Sequence, residues 1–162
     1  HNVPGLWTYY CCAQGSEVSN CFFAMPSARN RILGIQLYKY NMEGFLHWGF
    51  NFYNTRYSLE HINPYAVTDA GGAFQSGDSF LVYPGEDNTP EESLRLMVLA
   101  EAMQDLRALK WLESLTSKEY VLELIEHELE TPLTFKTYPR GNKYLLNLRA
   151  KVNNEISEIV NH

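Results

Sequence analysis

The stretch GFLHWGFNFYN, residues 44–54, concentrates residue types that bind sugars. It holds five aromatic rings, one histidine and two asparagines, and it carries no charged side chain. An aromatic ring covers the C–H face of a pyranose, while amide, carboxylate or guanidinium groups bind its hydroxyls. The side chains of Trp48, Asn51 and Tyr53 therefore predict a carbohydrate-binding surface at the end of a strand.

A second uncharged aromatic segment, LWTYYCC at residues 6–12, adds Tyr9 and Tyr10 to this candidate surface. In α/β folds, ligands lie beyond the carboxyl ends of parallel strands, which is where both segments lead. The alternative is that Trp7 and Trp48 belong to the hydrophobic core and touch no ligand. The sequence leaves both interpretations open.

Few carboxylates accompany these rings. Hydrolysis of a glycosidic bond normally needs two carboxyl groups, or one carboxyl group and a substrate group in the second role. Asp78 in SGDSFLVYPG is the best placed, between a glycine loop and an apolar run. The alternative role for Asp78 is a turn carboxylate that holds backbone N–H groups. Arg95 is placed to reach toward this loop, and His47 fits a hydrogen-bonded core histidine better than a catalytic base.

The elements that must position these side chains begin with a strand, a helix and a strand. Residues 6–12 and 44–52 are predicted strands because they are aromatic and uncharged. Residues 26–42 between them show helical spacing of apolar side chains. This βαβ pattern predicts an α/β fold with two neighbouring parallel strands and a covering helix. A long irregular segment, residues 54–87, follows.

The second half of the chain is predicted to be helical. Residues 1–83 hold 17 aromatic and only 9 charged side chains, whereas the rest holds 5 aromatic and 23 charged ones. Thr89-Pro90-Glu91-Glu92 resembles a capping box and predicts a helix start. A second helix is expected from Thr116-Ser117 to about Glu130. In the helix after Thr89, apolar side chains recur at three- and four-residue spacing: Leu96, Leu99, Met103, Leu106 and Leu109. The same spacing predicts a last helix that carries Leu145, Leu148, Val152, Ile156 and Ile159.

Composition limits the function classes. The net charge of −6 without a basic cluster argues against nucleic-acid binding. We expect no membrane span, since no apolar run approaches about 20 residues, and the start of the sequence does not resemble a signal peptide. Motifs for nucleotide cofactors and metals are missing, so no cofactor and no metal are expected. The cysteines, Cys11, Cys12 and Cys21, fit buried thiols in a reducing compartment and predict a cytoplasmic location.

Five segments in order carry a resemblance to a known family: LWTYYCCAQ, SNCFFAMPSARNRILGIQLYKY, GFLHWGFNFY, SGDSFLVYPGED and SLRLMVLAEAMQDLRAL. Together they resemble the C-terminal region of bacterial proteins related to glycoside hydrolase family 123, a region often described as a domain of unknown function. The similarity runs from about Trp7 to Leu112 and is weaker beyond. Where the family usually has Gly-Asp-Gly, this chain has Gly77-Asp78-Ser79.

The resemblance implies a (β/α)₈ barrel of which this chain would form the C-terminal part, the last two parallel strands with covering helices, followed by C-terminal helices. Residues 1–115 would belong to the barrel, with the long loop 54–87, and residues 116–162 to a helical extension. Characterised members of the family are β-N-acetylgalactosaminidases. In their substrate-assisted mechanism the acetamido oxygen attacks the anomeric carbon, an Asp orients the acetamido group and the adjacent Glu is the general acid. No segment here matches that Asp-Glu pair.

The sequence therefore predicts the C-terminal portion of a glycoside hydrolase-like protein that acts on N-acetylhexosamine-containing glycans. We expect no catalytic residue in this chain, and substrate binding by Tyr9, Tyr10, Trp48, Asn51, Tyr53 and Asp78. The alternatives are a non-catalytic carbohydrate-binding module and a helical interaction domain. Because two strands cannot close a barrel, an exposed sheet is expected to pair two copies of the chain in a homodimer.

Overall fold

The computed structural model describes residues 4–161. The predicted domain ranges, 1–115 and 116–162, start and end just outside these residues. Nine helices and strands occur within them, together with 3₁₀ turns at Cys12–Gln14, Arg56–Ser58 and Glu86–Asn88. In chain order they are β1 (Trp7–Tyr10), α1 (Ser27–Arg31), α2 (Leu33–Lys39), β2 (Gly44–His47), β3 (Val82–Pro84), β4 (Pro90–Glu92), α3 (Leu94–Leu115), α4 (Lys118–Glu126) and α5 (Asn142–Val160).

β1 and β2 are parallel neighbours, in the register Trp7↔Gly44 to Tyr10↔His47. This confirms the predicted parallel pairing, and the mixture of helices and strands confirms an α/β chain. The predicted strands, residues 6–12 and 44–52, were too long.

Local contacts end both strands early. The Cys11 side chain caps the Cys12–Gln14 turn, which takes the chain out of β1. After β2, Gly49 lies so close to the carbonyl oxygen of Asp78 that an added Cβ would stand 2.4 Å from it. The chain beyond β2 therefore follows the Asp78 loop and no longer follows β1.

The segment predicted as one helix, residues 26–42, forms two helices, α1 and α2, that meet at the fully buried Ile32. Pro26 directly precedes α1 and supplies no side-chain cap. Asn41 has a left-handed φ of 52°, which turns the chain toward β2. α2 packs closely on α3, because a Cβ added to Gly34 would lie 1.9 Å from the carbonyl oxygen of Ala102.

The predicted helix start at Thr89-Pro90-Glu91-Glu92 is wrong. Residues Pro90–Glu92 form β4, which pairs antiparallel with β3 inside the otherwise irregular segment. The helix α3 begins after Ser93, whose side chain accepts a hydrogen bond from the Leu96 N–H at 3.2 Å. Backbone pairing with β3 thus overrides a local capping pattern that looked complete in the sequence.

The helices pack together to form the main hydrophobic core. The prediction for α4 is confirmed at its start, where Ser117 accepts from the Tyr120 N–H at 3.1 Å, but α4 ends at Glu126 and not at Glu130. The core is made of side chains from α1 to α5 and the segment before α5, including Ile32, Ile35, Tyr38, Leu109, Leu112, Val121, Ile125, Leu133, Leu145, Leu148, Val152 and Ile156. Across residues 4–161, no helix has the length and apolar character that a bilayer crossing requires.

The two faces of the β1–β2 sheet differ. Tyr10 and Phe45 point to the helical side, where their rings meet edge to face at 5.3 Å. On the other face Trp7 is 61% exposed, and Tyr9 and Leu46 are also exposed. One side of this sheet is therefore packed, and the other is an uncovered apolar surface.

Candidate carbohydrate-binding site

A depression of about 530 Å³ lies at the carboxyl ends of β1 and β2. Tyr9 and Leu46, which are paired across the strands, form one wall of the depression. Trp48 and Phe74 form another. The six lining side chains are Tyr9, Cys11, Cys12, Leu46, Trp48 and Phe74. This lining is apolar and half of it is aromatic, which suits the C–H face of a sugar ring.

Trp48 is the best supported ring in the depression. Its ring centre lies 5.0 Å from that of Phe74 and 5.4 Å from that of Phe52. Its Nε1–H donates to Asp78 Oδ2 at 3.0 Å. Packing and a hydrogen bond together fix the orientation of the indole.

Asp78 lies beneath this aromatic surface and is only 1% exposed. Its Oδ2 atom accepts a second hydrogen bond, from the Cys12 backbone N–H at 3.2 Å. Its Oδ1 atom is buried without a partner among the described residues. Burial raises the pKa of the Asp78 carboxyl above its usual range, and the bonds from Trp48 and Cys12 oppose that shift in part.

Arg95, in the first turn of α3, holds the loop that carries Asp78, as the sequence suggested. Its guanidinium donates to the carbonyl oxygens of Cys21, Gly77 and Phe80 at 2.9, 2.5 and 2.6 Å. It also lies over the Phe23 ring, 4.6 Å from the ring centre. Burial lowers the pKa of Arg95. A half-buried cation satisfied by carbonyl oxygens fixes the backbone on both sides of Asp78.

His47 ends β2 on the opposite side of the strand from Leu46. Both of its ring nitrogens are buried, as expected of a core histidine, but neither has a hydrogen-bond partner of normal geometry in residues 4–161. Burial lowers the pKa of His47 to about 4, and the charge of Arg95 acts in the same direction. The imidazole is therefore neutral at neutral pH.

The structure brings together three of the six predicted binding residues. Tyr9 and Trp48 line the depression, and Asp78 lies directly behind Trp48. Tyr10 faces the other way, into the core, where it is 4% exposed and its hydroxyl is 3.4 Å from Gln36 Oε1.

The other two predicted residues do not line the depression. Asn51 is exposed, and its backbone forms a single bridge with Phe80. Tyr53 uses its hydroxyl to donate to the carbonyl oxygen of Val82 at 2.8 Å. Burial raises the pKa of Tyr53.

Four lining residues were not predicted, namely Cys11, Cys12, Leu46 and Phe74. Leu46 was accessible to sequence reasoning, because residues two apart in a strand share a face and Trp48 follows it. Phe74 comes from the long irregular segment, so nothing local in the sequence placed it beside Trp48.

No carboxylate lines the depression in the part of the chain that the structure describes. Glu17 pairs with Lys136 at 3.0 Å, and Asp69 accepts from the Gly72 N–H at 2.9 Å within its own turn. Residues 4–161 likewise bring together no group of three or more His, Cys, Asp or Glu side chains placed to hold a metal ion. The arrangement provides an apolar wall without the two carboxyl groups of a glycosidase.

A comparison with protein families finds one match, described as the catalytic domain of glycoside hydrolase 123, over residues 2–112. The matched range contains both parallel strands, the Asp78 loop and most of α3. No curated protein matches the sequence. Because the family match covers more than half of the chain, the protein belongs to the glycoside hydrolase 123 family.

Proposed function

We propose that this chain forms the C-terminal part of a glycoside hydrolase-like (β/α)₈ barrel that acts on N-acetylhexosamine-containing glycans. The observation that carries the proposal is the apolar depression at the carboxyl ends of β1 and β2, with Trp48 held in place. In barrel enzymes this end of the strands carries the active site. The family match supports a glycoside hydrolase-like role.

The two faces of the β1–β2 sheet support the barrel. In a (β/α)₈ barrel, each strand has one side against the outer helices and the other in the packed interior. Tyr10 and Phe45 meet the helical side here. Trp7, Tyr9 and Leu46 lie on the uncovered side, which corresponds to a barrel interior lacking its other strands.

In the proposed complex, the faces of Trp48 and Tyr9 cover the C–H surface of the sugar ring. Asn51 and Tyr53 lie farther along the rim, where they would meet polar groups of the glycan. Hydrolysis in this scheme is substrate-assisted: the acetamido oxygen attacks the anomeric carbon. The carboxyl groups that orient the acetamido group and protonate the leaving oxygen would come from other strands of the barrel.

Binding and hydrolysis test this proposal separately. The chain alone is expected to bind N-acetylgalactosamine in calorimetry and to release no p-nitrophenol from its aryl β-glycoside. Trp48→Ala should abolish binding while the far-ultraviolet circular dichroism is retained. Trp111→Ala, at an exposed tryptophan on α3 outside the depression, is the matched control. Hydrolysis above a buffer blank that is lost on changing Asp78 would contradict the proposal that the catalytic carboxyl groups come from other strands of the barrel.

A non-catalytic carbohydrate-binding module is the second candidate, favoured by the missing carboxylates around the depression. The mass of the protein purified from its natural source separates the two candidates. A longer polypeptide with an Asp-Glu pair after a strand supports the hydrolase. A polypeptide of the present size that binds sugar supports the module. Failure of every N-acetylhexosamine to bind would favour a helical interaction domain.

We also propose that the chain on its own self-associates through the uncovered face that holds Trp7, Tyr9 and Leu46. Each strand of the two-stranded sheet has one unpaired edge, and large apolar patches on soluble monomers are rare. A two-fold dimer would cover both features. Light scattering at high micromolar concentration should show a dimer that Trp7→Lys weakens. A strictly monomeric species would contradict self-association.

A further inference from the structure

We infer that Asp78 is a positioning residue: it holds the Trp48 indole in the sugar-binding orientation, and its carboxylate does not contact the sugar. This inference rests on the proposed function of the depression. The sequence predicted that Asp78 binds the substrate directly, and this inference replaces that role with an indirect one.

The first argument is access. Asp78 is 1% exposed, its Oδ1 atom is buried, and it does not line the depression. Trp48 and Cys12, which donate to its other oxygen, both do line it. A sugar hydroxyl would have to displace one of them to reach the carboxylate.

The second argument is the pair of hydrogen bonds. One oxygen atom, Oδ2, accepts from the Trp48 indole N–H, just after β2, and from the Cys12 backbone N–H, just after β1. The donors are 30 and 66 residues away from Asp78 along the chain. The carboxylate thus joins both strand ends to the irregular segment and sets the spacing between them.

The third argument is that the position of Asp78 is itself fixed. Gly77, before it, has a φ of 89°, which side chains rarely adopt, and Arg95 donates to the Gly77 and Phe80 carbonyl oxygens on either side. Gly49 allows the close approach of the Asp78 backbone to the chain after β2. A rigid acceptor is what orients a ligand-binding ring, because the ring can be no better ordered than its support.

The test compares an amide with a deletion at the same position. Asp78→Asn keeps an oxygen that accepts both hydrogen bonds and places its NH₂ group where Oδ1 now lacks a partner. Asp78→Ala removes the acceptor. Affinity for N-acetylgalactosamine should stay within about threefold in Asp78→Asn and fall by about tenfold or more in Asp78→Ala. Glu60→Ala, which removes an exposed carboxylate from the same long segment, is the matched control and should bind as the wild type does.

A spectroscopic readout follows Trp48 without any sugar. In a Trp7→Phe, Trp111→Phe background, Trp48 is the sole tryptophan of the chain. Asp78→Ala should increase iodide quenching of its fluorescence and change the near-ultraviolet circular dichroism. Asp78→Asn should leave both near the wild-type values. If Asp78→Ala does not fold, Asp78→Leu, which fills the space of the carboxylate but accepts no hydrogen bond, replaces it in both measurements with the same expected results.

Two outcomes would overturn the inference. Equal loss of affinity in Asp78→Asn and Asp78→Ala, with the Trp48 signals of Asp78→Asn unchanged, would show that the carboxylate contacts the sugar. Unchanged quenching and affinity in Asp78→Ala would show that Trp48 needs no support from it. If the wild-type chain binds no N-acetylhexosamine, the proposed function fails, while the fluorescence arm still decides whether Asp78 positions Trp48.

Discussion

Two aspartates in this protein are almost completely buried, and their carboxylates are held in opposite ways. Asp105 is 4% exposed and bonded to two guanidinium groups, with Arg31 at 2.7 and 2.9 Å and Arg149 at 2.7 Å. Asp78, at 1% exposed, accepts from two neutral N–H donors and has one oxygen without a partner. Burial depth is similar, but the compensation for the buried charge differs.

The difference separates a structural carboxylate from a site carboxylate. Asp105 ties α3 to α1 and α5, far from the aromatic depression, and every strong contact that it makes is with a charged partner. The environment of Asp78 favours its neutral form, which raises its pKa. Incompletely compensated buried groups are typical of functional sites, where stability is lost in exchange for a defined geometry.

Asp105→Asn should produce the largest change in stability. The amide cannot neutralise two guanidinium groups that are mostly buried, and it turns a donor toward one of them. Breaking a buried ion pair from one side typically costs several kcal/mol, so we expect the free energy of unfolding to fall by about 4 kcal/mol. Urea denaturation measures this value.

The control for that experiment is Glu128→Gln, at a half-exposed carboxylate that pairs with Lys151 at 2.5 Å. Exposed pairs contribute little, so the change there should be much smaller than the change at Asp105. Equal losses of stability at Asp105 and Glu128 would show that the buried ion pairs of Asp105 contribute no more than an exposed pair does.

His47, which precedes the Gly49 contact with the Asp78 loop, should make the stability of this region depend on pH. Burial and the Arg95 charge lower the pKa of His47 to about 4, against an ordinary value of about 6.5. A lowered histidine pKa means that the unfolded chain takes up its proton first. The stability contributed by neutral His47 is therefore present above pH 6.5 and is lost as the pH falls toward 4.

Over this pH window the free energy of unfolding should fall by about 3 kcal/mol through His47 alone. His47→Leu, which removes two buried nitrogens without partners, should flatten the dependence as measured by urea denaturation at each pH. The matched control, His61→Leu at an exposed histidine, should keep the fall in the free energy of unfolding with falling pH that the wild type shows. A slope that persists in His47→Leu would show that the ring is not desolvated in solution.

Trp48→Phe should have a smaller effect on stability. It removes one of the two donors to Asp78 and leaves the ring packing with Phe52 and Phe74 largely in place. The lost hydrogen bond to a buried carboxylate corresponds to about 1–2 kcal/mol. The matched change at the exposed Trp111 should be close to neutral, and a similar loss at both positions would mean that the Trp48–Asp78 bond contributes nothing.

Sequence reasoning predicted the parts of this fold that depend on local pattern. The parallel pairing of β1 with β2 followed from strand, helix and strand in succession. Apolar spacing indicated α3 and α5, and the Thr116-Ser117 pattern indicated the start of α4. It failed where distant segments compete with a local signal. β4 forms at the predicted helix start because β3 pairs with it, and β2 ends early because the Asp78 loop meets the chain at Gly49.

In the candidate site, too, the sequence predicted what depends on local pattern and missed what depends on distant contacts. The positions of Tyr9 and Trp48 in the candidate site were predictable, because aromatic side chains at the carboxyl ends of strands are typical of sugar-binding sites. The environment of Asp78 was not, since its two donors are 30 and 66 residues away and its burial depends on Arg95 and a left-handed glycine. Tyr10 was assigned to the wrong face because neighbouring residues in a strand point to opposite sides, and the sequence alone does not show which side is covered.

Asp78→Asn should change stability least, which makes it the direct counterpart of Asp105→Asn. The amide oxygen still accepts from Trp48 and Cys12, and the new NH₂ group replaces an oxygen that has no partner. At pH 7 we expect a change within about 1 kcal/mol.

Because the pKa of Asp78 is raised in the folded protein, the wild type loses stability as the pH rises from the ordinary carboxyl value through the raised one. The amide has no charge to bury, so the variant should gain relative to the wild type over that rise, as measured by urea denaturation from acid to neutral pH. A loss at pH 7 as large as that of Asp105→Asn would show that the Asp78 charge is fully compensated and that the two aspartates are held alike.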